Sequence, residues 1–204
     1  MRDDSSPPGG PPPAGGSPLG GSEDDELLRR AGAGDAAAFS RLVARLAPRA
    51  GAVAARIAGN RSDAEEIVQE AFTRLWLKAP DWRSGGAMPS TWLHRVVVNL
   101  ALDRRRKPVT QPIEAADHVA DPAPGGEAVL LADERRRRVA AAVEALPERQ
   151  RAALALCHFE EMSDVDAAAV LEISVGALES LLVRARRTLR EALADLAPAE
   201  GKPS

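Results

Sequence analysis

Apolar residues in this chain recur at helical spacing on both sides of one proline-rich break, and that pairing constrains its fold more than any other feature. Ala64, Ile67, Val68, Ala71, Phe72, Leu75 and Trp76 repeat at i, i+3, i+4 and i+7, the stripe of an amphipathic helix. Phe39, Leu42, Val43 and Leu46 do the same upstream, and Leu93, Val96, Val97 and Leu100 downstream. Near the end, Leu178, Leu182, Ala185, Leu189 and Leu193 form another stripe. No segment keeps the two-residue alternation of a strand. The break at 109–127 holds Pro112, Pro122 and Pro124 and no helical period, as a linker would. These patterns predict an all-α chain: two small helical domains, 22–108 and 128–197, joined by a flexible linker. Residues 1–21 are Pro/Gly-rich and read as a disordered tail; 198–204 is a second, short tail.

Local signals set the expected helix ends. Ser22–Asp25 and Ser62–Glu65 read as capping boxes, Asp35 and Ser90 as N-caps, and Gly59-Asn60 as a stop. Pro48 should kink or restart its helix, and Pro80 should close the next. Pro147 suits a first turn. Ser163 caps a short helix to Leu171, a break follows at 172–174, and a long helix runs from Val175 to Leu196. Short helix, tight break and longer arginine-bearing helix is the pattern of a helix-turn-helix, whose second helix enters the major groove. Ser174, Gly176, Ala177, Glu179, Ser180, Val183 and Arg184 then face outward, with Arg186 and Arg187 suited to phosphates. An ordinary helical hairpin with a solvated face has the same pattern.

Charge points to a polyanion and chemistry points away from catalysis. Residues 27–108 carry 15 basic against 7 acidic side chains, a net of +8 within a chain of −3 overall, and such a module favours nucleic acid. All but three of the 27 basic residues are arginines, which pair bidentately with phosphate or guanine; genomic base composition accounts for the same excess equally well. His94, His118 and His158 lie in different segments, with no nucleophile or paired carboxylate at an informative spacing, so no enzyme is expected. Cys157 and His158 with Glu160 and Glu161 point in different directions on a helix, and a lone Cys is usually core filler, so neither a metal nor a cofactor is expected. No run approaches the roughly 18 apolar residues of a membrane span, which predicts a soluble, cytoplasmic protein.

Four ordered motifs carry a family resemblance. Asp63-Ala64-Glu65-Glu66-Ile67-Val68-Gln69-Glu70-Ala71-Phe72 resembles the D-A-E-D-[IV]-[VT]-Q-E-[VAT]-F signature of extracytoplasmic-function sigma factors, small members of the sigma-70 family. Thr91-Trp92-Leu93 through Asn99 to Asp103 is similar to their T-W-L-x-R-I-[AV]-x-N-x-x-x-D segment. Leu146-Pro147 with Arg151 resembles their L-P-x-x-x-R, and Ser174 to Arg186 resembles their recognition helix. The likeness covers roughly 24–196. Glu179 and Leu181 stand where the family often has a basic residue, so an atypical −35 sequence is expected.

The resemblance implies a subunit that binds core RNA polymerase, directs it to promoters and assists DNA opening, in stress responses and under an anti-sigma factor. The helix Asp63–Trp76 would dock on the β′ clamp helices through Asp63, Glu66, Gln69, Glu70, Thr73 and Arg74, and the β flap would be a further contact. Arg83, Ser84, Trp92, Arg95 and Asn99 would engage the −10 element, with Arg104, Arg105 and Arg106 on phosphates. The outward residues of the last helix would read the −35 element. A DNA-binding regulator acting without polymerase, or a sigma-like decoy for an anti-sigma factor, remain alternatives. The linker acids Glu114, Asp117, Asp121 and Glu127 suggest autoinhibition against the basic first domain; a solvated spacer is the other reading.

Overall fold

The computed structural model describes residues 18–106 and 127–196. The readings of the tails below residue 18 and beyond 196, and of the linker acids, lie outside the described residues or their described side chains. Among the described residues every regular element is helical: α1 (Pro18–Gly32), α2 (Ala36–Ala58), α3 (Arg61–Lys78), α4 (Pro89–Arg106), α5 (Glu127–Glu144), α6 (Glu148–Leu154), α7 (Asp164–Leu171) and α8 (Val175–Ala192).

Several ends follow the expected caps. The Asp35 carboxylate accepts from the Ala38 amide at 2.9 Å. Gly59 ends α2 at φ 83°, a left-handed position that costs glycine little. Ser163 accepts from Asp166 N at 3.1 Å, and Ser174 from Ala177 N at 3.2 Å.

Other ends differ, each for a local reason. Helix α1 begins at Pro18 rather than Ser22, and α4 at Pro89 rather than Ser90; proline's missing N–H is not needed in a first turn. Asn60, not Ser62, caps α3, accepting from Asp63 N at 2.8 Å. Helix α2 runs unbroken through Pro48. The bond lost there is offset by keeping Leu46, Ala50 and Val53 on one buried face. The last long helix stops at Ala192, followed by a 3-10 turn at Ala194–Leu196.

Helix α2 packs against α1, α3 and α4 in the first unit, and α8 against α6 and α7 in the second. The core, however, is continuous between the units: α6 and α7 lie on α2 and α4, and Ala152, Ala155, Leu156, Ala167 and Leu171 join the cluster built around Leu42, Ile57, Leu93 and Val97. That explains a departure on α4. One inward face was expected, yet His94, Val98, Ala101 and Leu102 are buried too, because α7 covers a second side.

Candidate polymerase and nucleic-acid interfaces

Helix α3 buries Ala64, Ile67, Ala71, Phe72 and Leu75, which leaves a polar face outward. Glu66, Gln69, Glu70, Thr73 and Arg74 are exposed and Asp63 is half-buried. Arg104 of α4 bridges this face, meeting Asp63 at 3.0 Å and pairing with Glu66. Arg74 meets Glu70 at 2.8 Å one turn away. Beside the polar row runs an open groove of about 710 Å³ between α2 and α3. Its floor is apolar, with Val43, Ala47 and Val68 leading to Phe39, Phe72 and Trp76. Phe39 sits edge-on to both other rings, 4.9 Å from Trp76 and 6.4 Å from Phe72. The sequence placed Phe39, Val43, Val68, Phe72 and Trp76 on apolar helical stripes; Trp76 is in fact 39% exposed. Helical period places a residue on a face but does not say whether a neighbour covers it.

The residues expected at a −10 element are partly gathered. Trp82 holds the loop after α3 by donating Nε1–H to Asp25 at 2.8 Å and stands edge-to-face with Trp92 at 6.4 Å. Arg83, Ser84 and Asn99 are exposed, and Trp92 is half-buried. The four arginines diverge. Arg104 is paired within the unit. Arg105 donates to the carbonyls of Ile57 and Ala58 at 3.2 Å each, closing the end of α2. Arg106 is exposed, 3.7 Å from Asp103. Arg95 lies 3.5 Å from Glu172 of the second unit.

In the helix-turn-helix, Glu172 turns the chain at φ 54°, and Ile173 N donates to Ala168 O at 3.0 Å. Leu178, Leu182 and Ala185 of α8 point inward. Ser174, Gly176, Ala177, Glu179, Ser180, Val183, Arg184, Arg186 and Arg187 are all exposed, so the nine expected residues form one free surface. Arg187 has only a loose partner, Glu191 at 3.8 Å.

The remaining reactive groups have structural surroundings. Burial, with Asp164 beside it, pushes the Cys157 thiol up to about 11, so it stays protonated at neutral pH. Among the described residues no His/Cys/Asp/Glu group could hold a metal, and no helix is long and apolar enough to cross a membrane. Arg151, which the sequence offers only as the arginine of the L-P-x-x-x-R motif, is 3% exposed. Its guanidinium donates to Leu146 O at 2.8 Å, to Glu144 O, and to Ile57 O of the first unit at 3.1 Å. An arginine on an otherwise apolar face is the signal that points to its buried, structural role.

Comparison with known proteins agrees with this geometry. Residues 42–108 match the model of Sigma-70 region 2, and 136–189 that of Sigma-70, region 4. The ECF RNA polymerase sigma factor SigE of Mycolicibacterium smegmatis is 34% identical over 168 residues, 79% of this chain and 65% of that protein; the present chain thus spans just under two thirds of it. The RNA polymerase sigma-H factor of Pseudomonas aeruginosa is 30% identical over 174 residues, 80% of this chain and 90% of that one. Among solved structures, CnrH in complex with the cytosolic domain of CnrY superposes with a TM-score of 0.63 at 30% identity, covering 86% of this chain and 99% of that chain. The chain belongs to the sigma-70 family, among its extracytoplasmic-function sigma factors.

Proposed function

We infer that this chain binds core RNA polymerase, directs it to specific promoters and assists DNA opening, under the control of an anti-sigma factor. The carrying observation is that two surfaces of different character stand on two units. The first is a polar row on α3 beside an aromatic groove, which suits a helical protein partner. The second is the exposed face of α8, which suits a major groove. A regulator acting without polymerase would have no use for the first surface.

In this reading the unit around 22–108 contacts the β′ clamp helices through Asp63, Glu66, Gln69, Glu70, Thr73 and Arg74. It engages the −10 element through Arg83, Ser84, Trp92, Arg95 and Asn99. Opening DNA without nucleotide hydrolysis requires trapping an unstacked base, and aromatic stacking supplies about 1–3 kcal/mol per base. Trp92 of that set stands edge-to-face with Trp82, whose indole N–H is held by Asp25, which supports a stacking role. The unit around 128–197 reads the −35 element with Ser174 to Arg184, and Arg186 and Arg187 neutralise phosphates. Glu179 suits an exocyclic amine, Val183 a thymine methyl and Arg184 a guanine. The chain works by binding, in the cytoplasm where the polymerase is, in stress responses, and the β flap is a second polymerase contact.

Transcription reconstituted from purified core polymerase and promoter templates tests the reading. Specific initiation dependent on this chain is expected. Site-specific DNA binding without any effect on the polymerase would replace it with the regulator. Capture of an anti-sigma factor without initiation would replace it with the decoy.

A further inference from the structure

Glycine costs a helix stability wherever neither backbone nor packing asks for it, and Gly176 is such a residue. It stands in the first turn of α8 without a positive φ, and an added Cβ would meet nothing within 4 Å. Gly59 and Gly32 differ: the first has φ 83°, and a Cβ on the second would run into the Ala79 backbone. Gly51 of α2 also has open space, and it lines the groove beside α3. An empty Cβ position that serves nothing inside the chain leaves room for something outside it. The side chains around that room are acceptors. Ser180, one turn on along the same face, spends its only hydrogen on Gly176 O at 2.9 Å, so its oxygen can only accept from outside. Glu179 is exposed, and its carboxylate accepts only. The residues three and four away from it on α8 are Val175, Gly176, Leu182 and Val183, so no cation of its own helix answers its charge. Elsewhere the helices pair such charges, as Glu65 does with Arg61 and Glu70 with Arg74. The first basic side chain of α8 is Arg184, about two turns beyond Gly176.

We propose that Gly176, Glu179 and Ser180 form a notch at the head of α8 that selects an amine-bearing base edge, cytosine N4 or adenine N6, in the −35 element. This selection rests on the −35 reading above and adds to it which base edges the first turn turns away. In the major groove cytosine offers its N4 amine and adenine its N6 amine, whereas guanine offers O6 and N7 and thymine O4 and a methyl. A carboxylate and a hydroxyl oxygen whose hydrogen is already spent accept from the first two. Against guanine or thymine they set lone pairs on lone pairs, and Glu179 loses water without gaining a donor. The missing Cβ sets the distance. Base edges lie at the floor of the groove, and without a methyl group in between the backbone of the first turn comes closer to them than alanine would allow. Arg184, farther along the same helix, supplies the donor that guanine needs, so acceptor and donor readouts follow one another along α8.

A pool of duplexes with a randomised central tract, selected by the full chain and sequenced, tests the notch. Sites enriched by the wild type should carry cytosine or adenine at one position of one strand. Glu179→Gln should relax that position alone, since a carboxamide also donates. On the best selected duplex, Gly176→Ala should weaken binding about tenfold. The melting temperature of that variant should stay the same or rise, because alanine fits the open space and is the better helix former. Lower stability at unchanged affinity, the mark of a glycine kept for folding, would overturn the notch, as would a Glu179→Gln selection identical to the wild type's. Arg184→Ala keeps the two readings apart: its loss of binding beside an unaffected Gly176→Ala would leave the −35 surface standing and the notch refuted. A chain that enriches no site would remove both.

Discussion

A buried side chain with half of its hydrogen bonds made is the residue most exposed to a change of pH. His94 is 2% exposed; its Nδ1 is 2.8 Å from Ser90 O and its Nε2 has no hydrogen-bond partner among the described residues. Burial pushes its pKa below the usual imidazole value and nearby Arg49 adds to this, against the pull of the Ser90 carbonyl. The folded pKa thus lies below the unfolded one, near 6.5. The neutral ring's contribution is fully present above about pH 6.5 and is lost as pH falls from there through the folded value. Each proton taken up preferentially by the unfolded chain costs at most about 1.4 kcal/mol per pH unit. Glu160, raised by burial, acts in the opposite sense, gaining stability as it protonates. Denaturant melts from pH 7 to 5 should therefore show a loss in the wild type that His94→Leu largely abolishes; parallel curves would assign the loss elsewhere. Gly32 is the residue-scale counterpart in packing. A Cβ there would stand 2.3 Å from the backbone oxygen of Ala79, and backbone cannot turn aside as a side chain can. Gly32→Ala should lower stability by about 1–3 kcal/mol, read as a shift in denaturation midpoint.

At the scale of the helix, what was legible follows from how local its cause is. The starts of α7 and α8 were readable because Ser163 and Ser174 accept from amides three residues on, a relation written in nearby residues. The start of α3 was misplaced by choosing Ser62 over Asn60, two cap formers with only Arg61 between them. Asn60 wins because Gly59 turns the chain into position, and it also donates Nδ2–H to Asp63 at 2.7 Å. Asn60→Ala should cost about 1 kcal/mol and Ser62→Ala much less, which a pair of thermal melts would separate. The second buried side of α4 and the open groove beside α3 were not legible. Each depends on which helix arrives from far along the chain, and periodicity within one helix carries no record of that. The same holds for Arg105 and Arg151. A basic helix end reads as a phosphate site until the carbonyls of Ile57 and Ala58 are seen beneath it.

Over the whole molecule, formal charge overstates what DNA can use. Residues 27–108 are strongly basic, yet Arg45 is held by Glu23 and Asp24, Arg30 by Asp35, and Arg104 by Asp63 and Glu66, while Arg105 is spent on helix carbonyls. An arginine already paired releases little counterion when it meets a phosphate, because its partner must be given up first. The arginines of α8 are different: Arg184, Arg186 and Arg187 are exposed, and among the described residues their one ion pair is Arg187 with Glu191, at 3.8 Å. The salt dependence of binding should therefore follow α8 and not the more basic unit. For the full chain on a duplex carrying a −35 element, log affinity should fall linearly with log salt, and Arg186→Ala/Arg187→Ala should flatten that slope by about 2. Arg104→Ala should leave the slope near its wild-type value. Fluorescence anisotropy on a labelled duplex from about 50 to 200 mM salt resolves slopes of this size. A slope that responds to Arg104 as strongly as to the α8 pair would mean that the Asp63 and Glu66 pairings give way on DNA, and that formal charge was the better guide.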